Sequence, residues 1–171
     1  MSEIWLVHAG CGKTTAAALR PDVLDFTVGR FKYLGSGEDL GPLESEQIKG
    51  TGGEVSPAWP WNYIDALYEE HSRGQYRHIL SPAAWQVATA LERGHPYLDI
   101  PPLPYTLVIP DPSLKDEYEQ RYIDRGNPDD FLDIFVRDGA WERWQNQFES
   151  FFRPTRKIIL QSGQYLADFL D

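Results

Sequence analysis

Lys13 stands between Gly12 and Thr14, with Gly10 and Cys11 just upstream, so one short run holds two glycines, a cation and a hydroxyl in the order Gly-Cys-Gly-Lys-Thr. That spacing matches the tail of a phosphate-binding loop, G-x-x-x-x-G-K-[ST]. Glycines let consecutive backbone N–H groups converge on phosphate oxygens, the lysine reaches the β- and γ-phosphates, and the hydroxyl is a magnesium ligand. The expected cradle is Ala9, Gly10, Cys11, Gly12, Lys13, Thr14 and Thr15, with ATP and Mg²⁺ as cofactors and Thr14 as the metal ligand. The first glycine of the pattern falls at Val7, which makes the loop a variant. The competing reading is an ordinary glycine turn with Lys13 as a solvated side chain.

Other residues have the chemistry to work beside such a loop. Asp25 lies near the end of an apolar run, where it can approach Mg²⁺ through water, act as a base toward an acceptor hydroxyl, or simply cap the next turn. Arg30 and Lys32 follow it and can bind an anionic substrate, and Asn62 has an amide able to read a base edge. Arg121 and Arg125 are one helical turn apart; two guanidiniums can clamp a transferring phosphoryl group, or Arg121 can pair locally with Glu117. Lys13, Asp25, Arg121 and Arg125 are therefore the catalytic candidates, and Asp25, Arg30 and Asn62 the acceptor-side ones. Cys11 either serves through its backbone N–H or, near a helix N-terminus, is an oxidisable thiol.

Elements that could position these groups are visible in the pattern. Residues 4–7 are a continuous apolar run, as in a strand covered on both faces, and 16–19 continue as helix. Residues 23–26, 77–80, 105–109 and 157–160 read as further strands. Between them, helices are expected after Pro60, after Ser81-Pro82 with Ser81 as N-cap, after Ser113, through 131–152 with a break at Asp138-Gly139, and over 164–170. Trp61, Ile64 and Trp85 are expected in the core. Residues 27–57 are glycine-rich and aperiodic, which points to a functional or mobile acceptor-side loop. A magnesium-binding strand often ends in a carboxylate, but the third strand ends in Ser81, leaving Asp25 or Asp111 as substitutes.

Composition narrows the classes. At 171 residues, with 42% hydrophobic residues and a mean hydropathy of −0.46, the chain suits one globular domain with a substantial core. The net charge of −10 disfavours extended nucleic-acid binding, which needs a basic stripe, without excluding a local pocket for one nucleotide. A single cysteine excludes internal disulfides. With no apolar run of membrane-spanning length and no leader-like segment before the first strand, a cytoplasmic address and no membrane partner are expected.

Residues 9–15 (AGCGKTT), 23–26 (VLDF), 59–64 (WPWNYI), 105–127 (YTLVIPDPSLKDEYEQRYIDRGN) and the pair Trp141 and Trp144 together resemble small P-loop kinases of the nucleoside monophosphate kinase, adenylate-kinase-like type. More narrowly they look like short ATP-binding proteins of phages and prophage-bearing bacteria. The resemblance implies a three-layer α/β P-loop fold, with a five-stranded parallel sheet of order 2-3-1-4-5 and helices on both faces. It also implies ATP on the loop, a lid role for Arg121 and Arg125 within residues 113–139, and a nucleotide substrate. The expected activity is ATP-dependent phosphoryl transfer to a nucleotide or nucleoside, foremost a monophosphate. A kinase of hydroxyl groups and a nucleotide-binding module with little turnover are the alternatives.

Overall fold

The computed structural model describes residues 1–34, 54–95 and 97–171. Its five strands are β1 (Glu3–Val7), β2 (Val23–Asp25), β3 (His78–Pro82), β4 (Tyr105–Pro110) and β5 (Arg156–Leu160). They form one parallel sheet in the order β2-β3-β1-β4-β5, the expected α/β topology. The described helices are α1 (Lys13–Leu19), α2 (Gly29–Lys32), α3 (Trp61–Arg73), α4 (Trp85–Arg93), α5 (Lys115–Asp124), α6 (Asp129–Phe135) and α7 (Ala140–Phe151). None of them is long and apolar enough to cross a membrane.

Strand β1 is central and its side chains alternate between two cores. Ile4 and Leu6 pack with Tyr63, Ile64 and Leu67 of α3 and Val87, Ala88 and Leu91 of α4. Trp5 and Val7 pack on the opposite face with Ala16 of α1, Tyr118 and Tyr122 of α5, and Phe131 and Leu132 of α6. Helix α7 reaches both cores, with Phe148 in the first and Trp141 in the second. A strand covered on both sides must be apolar at every interior position, which is why residues 4–7 show no polar alternation.

Register brings the strand ends to one edge. Val7 pairs with both Pro82 and Val108, and Asp25 with Leu80. The loop after β1, the end of β2 and the end of β3 therefore meet at the carboxyl edge, where ligands of open α/β sheets collect.

Several local expectations are corrected. Ser81 is a strand residue rather than a helix cap: β3 runs on through Pro82, and α4 begins at Trp85 after Ala84, which has no side chain to cap with. The cap before α5 is Asp111, whose carboxylate accepts from the Ser113 N–H at 3.0 Å and the Ser113 hydroxyl at 2.7 Å. The Asp111 Oδ1 thereby closes the turn that leads into α5. Residues 166–169 form only a 3₁₀ turn, because the Leu166 N–H donates to Cys11 O and Arg20 holds the Leu170 and Asp171 carbonyls. Ile64 is core as expected, whereas Trp61 and Trp85 are exposed. The break between α6 and α7 is real, with Asp138 and Gly139 both at positive φ. Of the glycine-rich stretch, residues 27–34 and 54–57 are described: α2 is a single turn and Tyr33 bridges Val55. Residues 35–53 of that expected loop lie outside the described residues.

Candidate phosphate-binding site and adjoining cleft

The loop between β1 and α1 is built by directing its carbonyls into the protein. Tyr122 donates its hydroxyl to Ala9 O at 2.8 Å, Arg121 donates to Gly10 O at 3.0 Å, and Leu166 N–H donates to Cys11 O at 2.9 Å. Gly10 and Gly12 sit at φ +83° and +97°, a left-handed backbone that side chains resist. A Cβ on Gly10 would lie 2.7 Å from Tyr122 Cε1, and one on Gly12 3.2 Å from Tyr165 Cδ1. With the carbonyls anchored, the first loop N–H returned to a helical carbonyl is that of Ala16, to Gly12 O at 3.0 Å. The Gly12, Lys13, Thr14 and Thr15 N–H groups meet no carbonyl among the described residues, the usual state of a helix start and the donor set an anion needs. Val7, in place of a first glycine, is the fully buried last residue of β1, so the loop's turning is done by Gly10 and Gly12.

Cys11 is fully buried with its Sγ 3.6 Å from the Tyr118 hydroxyl, and burial pushes the thiol up to about 11. The side chain is a small packing group beneath the loop, and a reactive thiolate is absent at neutral pH.

Thr14 donates its hydroxyl to Asp25 Oδ2 at 3.1 Å, joining the start of α1 to the end of β2. The other oxygen, Oδ1, is buried and has no hydrogen-bond partner among the described residues. A hydroxyl and a carboxylate in contact, with one oxygen unsatisfied, suit a hard cation whose remaining ligands are phosphate oxygens and water. Ser81 stands where a strand-end carboxylate is often found, but it is fully buried and 2.8 Å from the Tyr63 hydroxyl, which also donates to Phe26 O at 2.6 Å. It joins the ends of β2 and β3 to α3 and leaves Asp25 as the carboxylate nearest the loop's hydroxyl. Burial raises Tyr63 far above the ordinary phenol range, so this link stays protonated.

Beside the loop opens a cleft of about 380 Å³, within the range of small-ligand pockets. His8, Ala9 and Lys13 form its loop side, Val28, Lys32 and Trp59 one wall, and Phe135, Trp144 and Gln147 another. Trp85 and Gln86 lie at the start of α4. No carboxylate is among the described residues that line it. Trp144 stacks on Phe135 with centroids 5.2 Å apart and planes 11° from parallel, and His8 packs among Phe135, Trp141, Trp144 and Phe148.

The anticipated site residues divide into three groups. Lys13, Thr14 and Asp25 are brought together at the sheet edge. Arg121 is also at the loop, but one donor holds Gly10 O, another reaches Glu117 at 3.0 Å and Gln164 O at 3.3 Å, and its guanidinium lies between the rings of Tyr118 and Tyr165. The expected local pairing with Glu117 is present, and Arg121 holds the loop backbone as well. Arg125 is the exposed residue just beyond α5, its guanidinium 6.0 Å from the Phe131 ring. Arg30 is exposed and lies on Phe31 at 4.7 Å, outside the cleft lining. Asn62 donates to Phe31 O at 2.7 Å, which joins α3 to α2, and accepts from Tyr63 N of its own helix at 2.9 Å; it is not among the described residues that line the cleft.

Sequence reasoning missed Tyr122 as a loop anchor, because its four-residue spacing from Tyr118 reads only as a packed stripe. It missed Gln86 and Gln147 as cleft residues altogether, since nothing around them marks a site.

No protein-family model matches the chain, and no curated protein matches it in sequence. Among solved structures, a gluconokinase from Sinorhizobium meliloti 1021 is similar at a TM-score of 0.49 and 16% identity, covering 98% of this chain and 85% of that one.

Proposed function

We propose that the protein is an ATP-dependent phosphotransferase acting on a nucleotide or nucleoside, foremost a ribo- or deoxynucleoside monophosphate. The observation that carries this reading is the loop after β1, whose carbonyls are anchored inward while the Gly12 to Thr15 N–H groups are left for an anion beside a cleft lined largely by aromatic rings. Those N–H groups and Lys13 hold the donor triphosphate. Thr14, with Asp25 behind it, holds Mg²⁺, which neutralises charge on the phosphates when bound. An acceptor oxygen attacks the γ-phosphorus, the bond to the β–γ bridging oxygen breaks, and ADP leaves. A monophosphate acceptor is already ionised and releases no proton at neutral pH. Most of the acceleration comes from positioning and fixed charge, since phosphoryl transfer asks little covalent chemistry of the protein.

The unpartnered Oδ1 of Asp25 favours a second reading, transfer to a hydroxyl, whose proton would pass to that carboxylate. Asp25→Asn separates the two: a hydroxyl acceptor loses far more turnover than a monophosphate does. The direct test is transfer of labelled γ-phosphate from ATP to a panel of ribo- and deoxynucleoside monophosphates and nucleosides. Labelled product from at least one monophosphate is expected; ATP binding without any product would instead mark a nucleotide-binding module.

A further inference from the structure

Lys32 is the last residue of α2 and lines the cleft, its ammonium 5.5 Å from the Trp59 ring centroid and 5.6 Å from that of Tyr33. Among the described residues it has no carboxylate partner, whereas Arg20, Arg73, Lys115, Arg121 and Arg137 each have one. In a chain with a net charge of −10 counter-ions are plentiful, yet among the described residues none is paired with this cation. Burial holds the ammonium below the ordinary lysine range. A half-buried charge without a partner is destabilising unless a ligand supplies the opposite charge. The two aromatic rings fix the ammonium by cation–π contact, so it is already oriented before a ligand arrives.

The rest of the cleft defines what else the ligand carries. Trp59, Trp85, Phe135 and Trp144 are among the aromatic residues that line it, and its surface is more apolar than polar. A polyhydroxylated acid would leave any hydroxyl that faces these rings without a partner, at a cost for each. A planar heterocycle stacks on them and can offer its edge to the amides of Gln86 and Gln147. Arg30, the other cation of α2, is excluded from this role because it lies on Phe31 outside the lining.

We infer that the cleft takes a ligand combining a planar ring with an anionic group, and that Lys32 holds the anion and so decides which acceptors bind. The inference deepens the phosphotransferase reading but is tested without turnover. Calorimetry on the full chain would compare nucleosides, their 5′-monophosphates, and ribose 5-phosphate and gluconate as ring-free anions, with ATP titrated separately. A monophosphate should bind about ten-fold or more tightly than its nucleoside, the scale of one charge-assisted contact. It should exceed both ring-free anions as well. Lys32→Met should erase the advantage over the nucleoside, Lys32→Arg should keep it, and ATP affinity and the circular dichroism spectrum should be unchanged in both. An undiminished monophosphate preference in Lys32→Met, a ring-free anion bound as tightly, or no monophosphate bound at all would each overturn the inference. Transfer from ATP to a neutral polyol would keep the kinase reading and sink this one. Lys32-dependent monophosphate binding without any transfer would do the reverse.

Discussion

Gly10→Ala tests whether the loop is rigidly seated or merely permissive. At φ +83° an L-residue pays about 1–2 kcal/mol for the left-handed backbone alone. The new Cβ would also lie 2.7 Å from Tyr122 Cε1, and that ring has no room to retreat, being fully buried with Phe131 at 5.1 Å on another side. Displacing it strains the core by about 1–3 kcal/mol. It would also stretch the bond from the Tyr122 hydroxyl to Ala9 O, whose loss costs about 1 kcal/mol. A total of about 3 kcal/mol or more is expected, with weakened ATP binding. Gly126→Ala is the control: its φ is +79°, but nothing lies within 4 Å of its Cβ position, so only the backbone cost of about 1 kcal/mol remains. Urea unfolding followed by tryptophan fluorescence gives both values. If the two variants fell within about 0.5 kcal/mol of each other, the ordinary scatter of neutral changes, the claim that Tyr122 seats the loop would be refuted.

Other consequences follow from single contacts. Ser81→Ala removes a buried partner of Tyr63 and should lower stability by about 1–2 kcal/mol in urea titrations while ATP affinity is kept. The buried Cys11 thiol, raised to about 11, should react with iodoacetamide at pH 8 roughly 100-fold more slowly in the native protein than in the urea-unfolded chain; comparable rates would place the thiol at the surface. Glu117 is held below its ordinary value, first by the Ser162 hydroxyl and then by the Gly163 N–H and Arg121. A lowered carboxylate contributes its stability above the unfolded pKa of about 4.3 and loses it as pH falls through the folded value. The stability gap between wild type and Glu117→Gln, measured by urea midpoints from pH 7 to pH 3, should therefore be constant above about pH 5 and close below it.

The legible parts of this fold are those where one cause dominates. Residues 4–7 had to be a doubly covered strand because no polar position interrupts them, and the Gly-Cys-Gly-Lys-Thr run had to be a turn into a helix because glycine spacing alone permits it. Asp25 was placeable because strand ends gather ligands. What escaped depends on tertiary partners. Ser81-Pro82 has the local form of a helix start, yet pairing with Leu6 and Val7 keeps it in the sheet. Asn62 has a free-looking amide, yet Phe31 O and Tyr63 N take both ends. Arg30 and Lys32 are equivalent cations in the sequence, and only the orientation of a single-turn helix sends Lys32 into the cleft and Arg30 to the surface. Trp85 reads as core by type, but it is exposed and stands among the residues that line the cleft.

Everything chemical in this account passes through the backbone cradle of residues 9–15 and the lysine beside it. Titration of ATP with Mg²⁺ into wild type and Lys13→Ala, each checked for native circular dichroism, tests it most directly. Saturable one-to-one binding by the wild type and a loss of at least about ten-fold in the variant are expected, as for removal of a charged contact to phosphate. Equal affinity in the two proteins, or no ATP binding by the wild type, would contradict it.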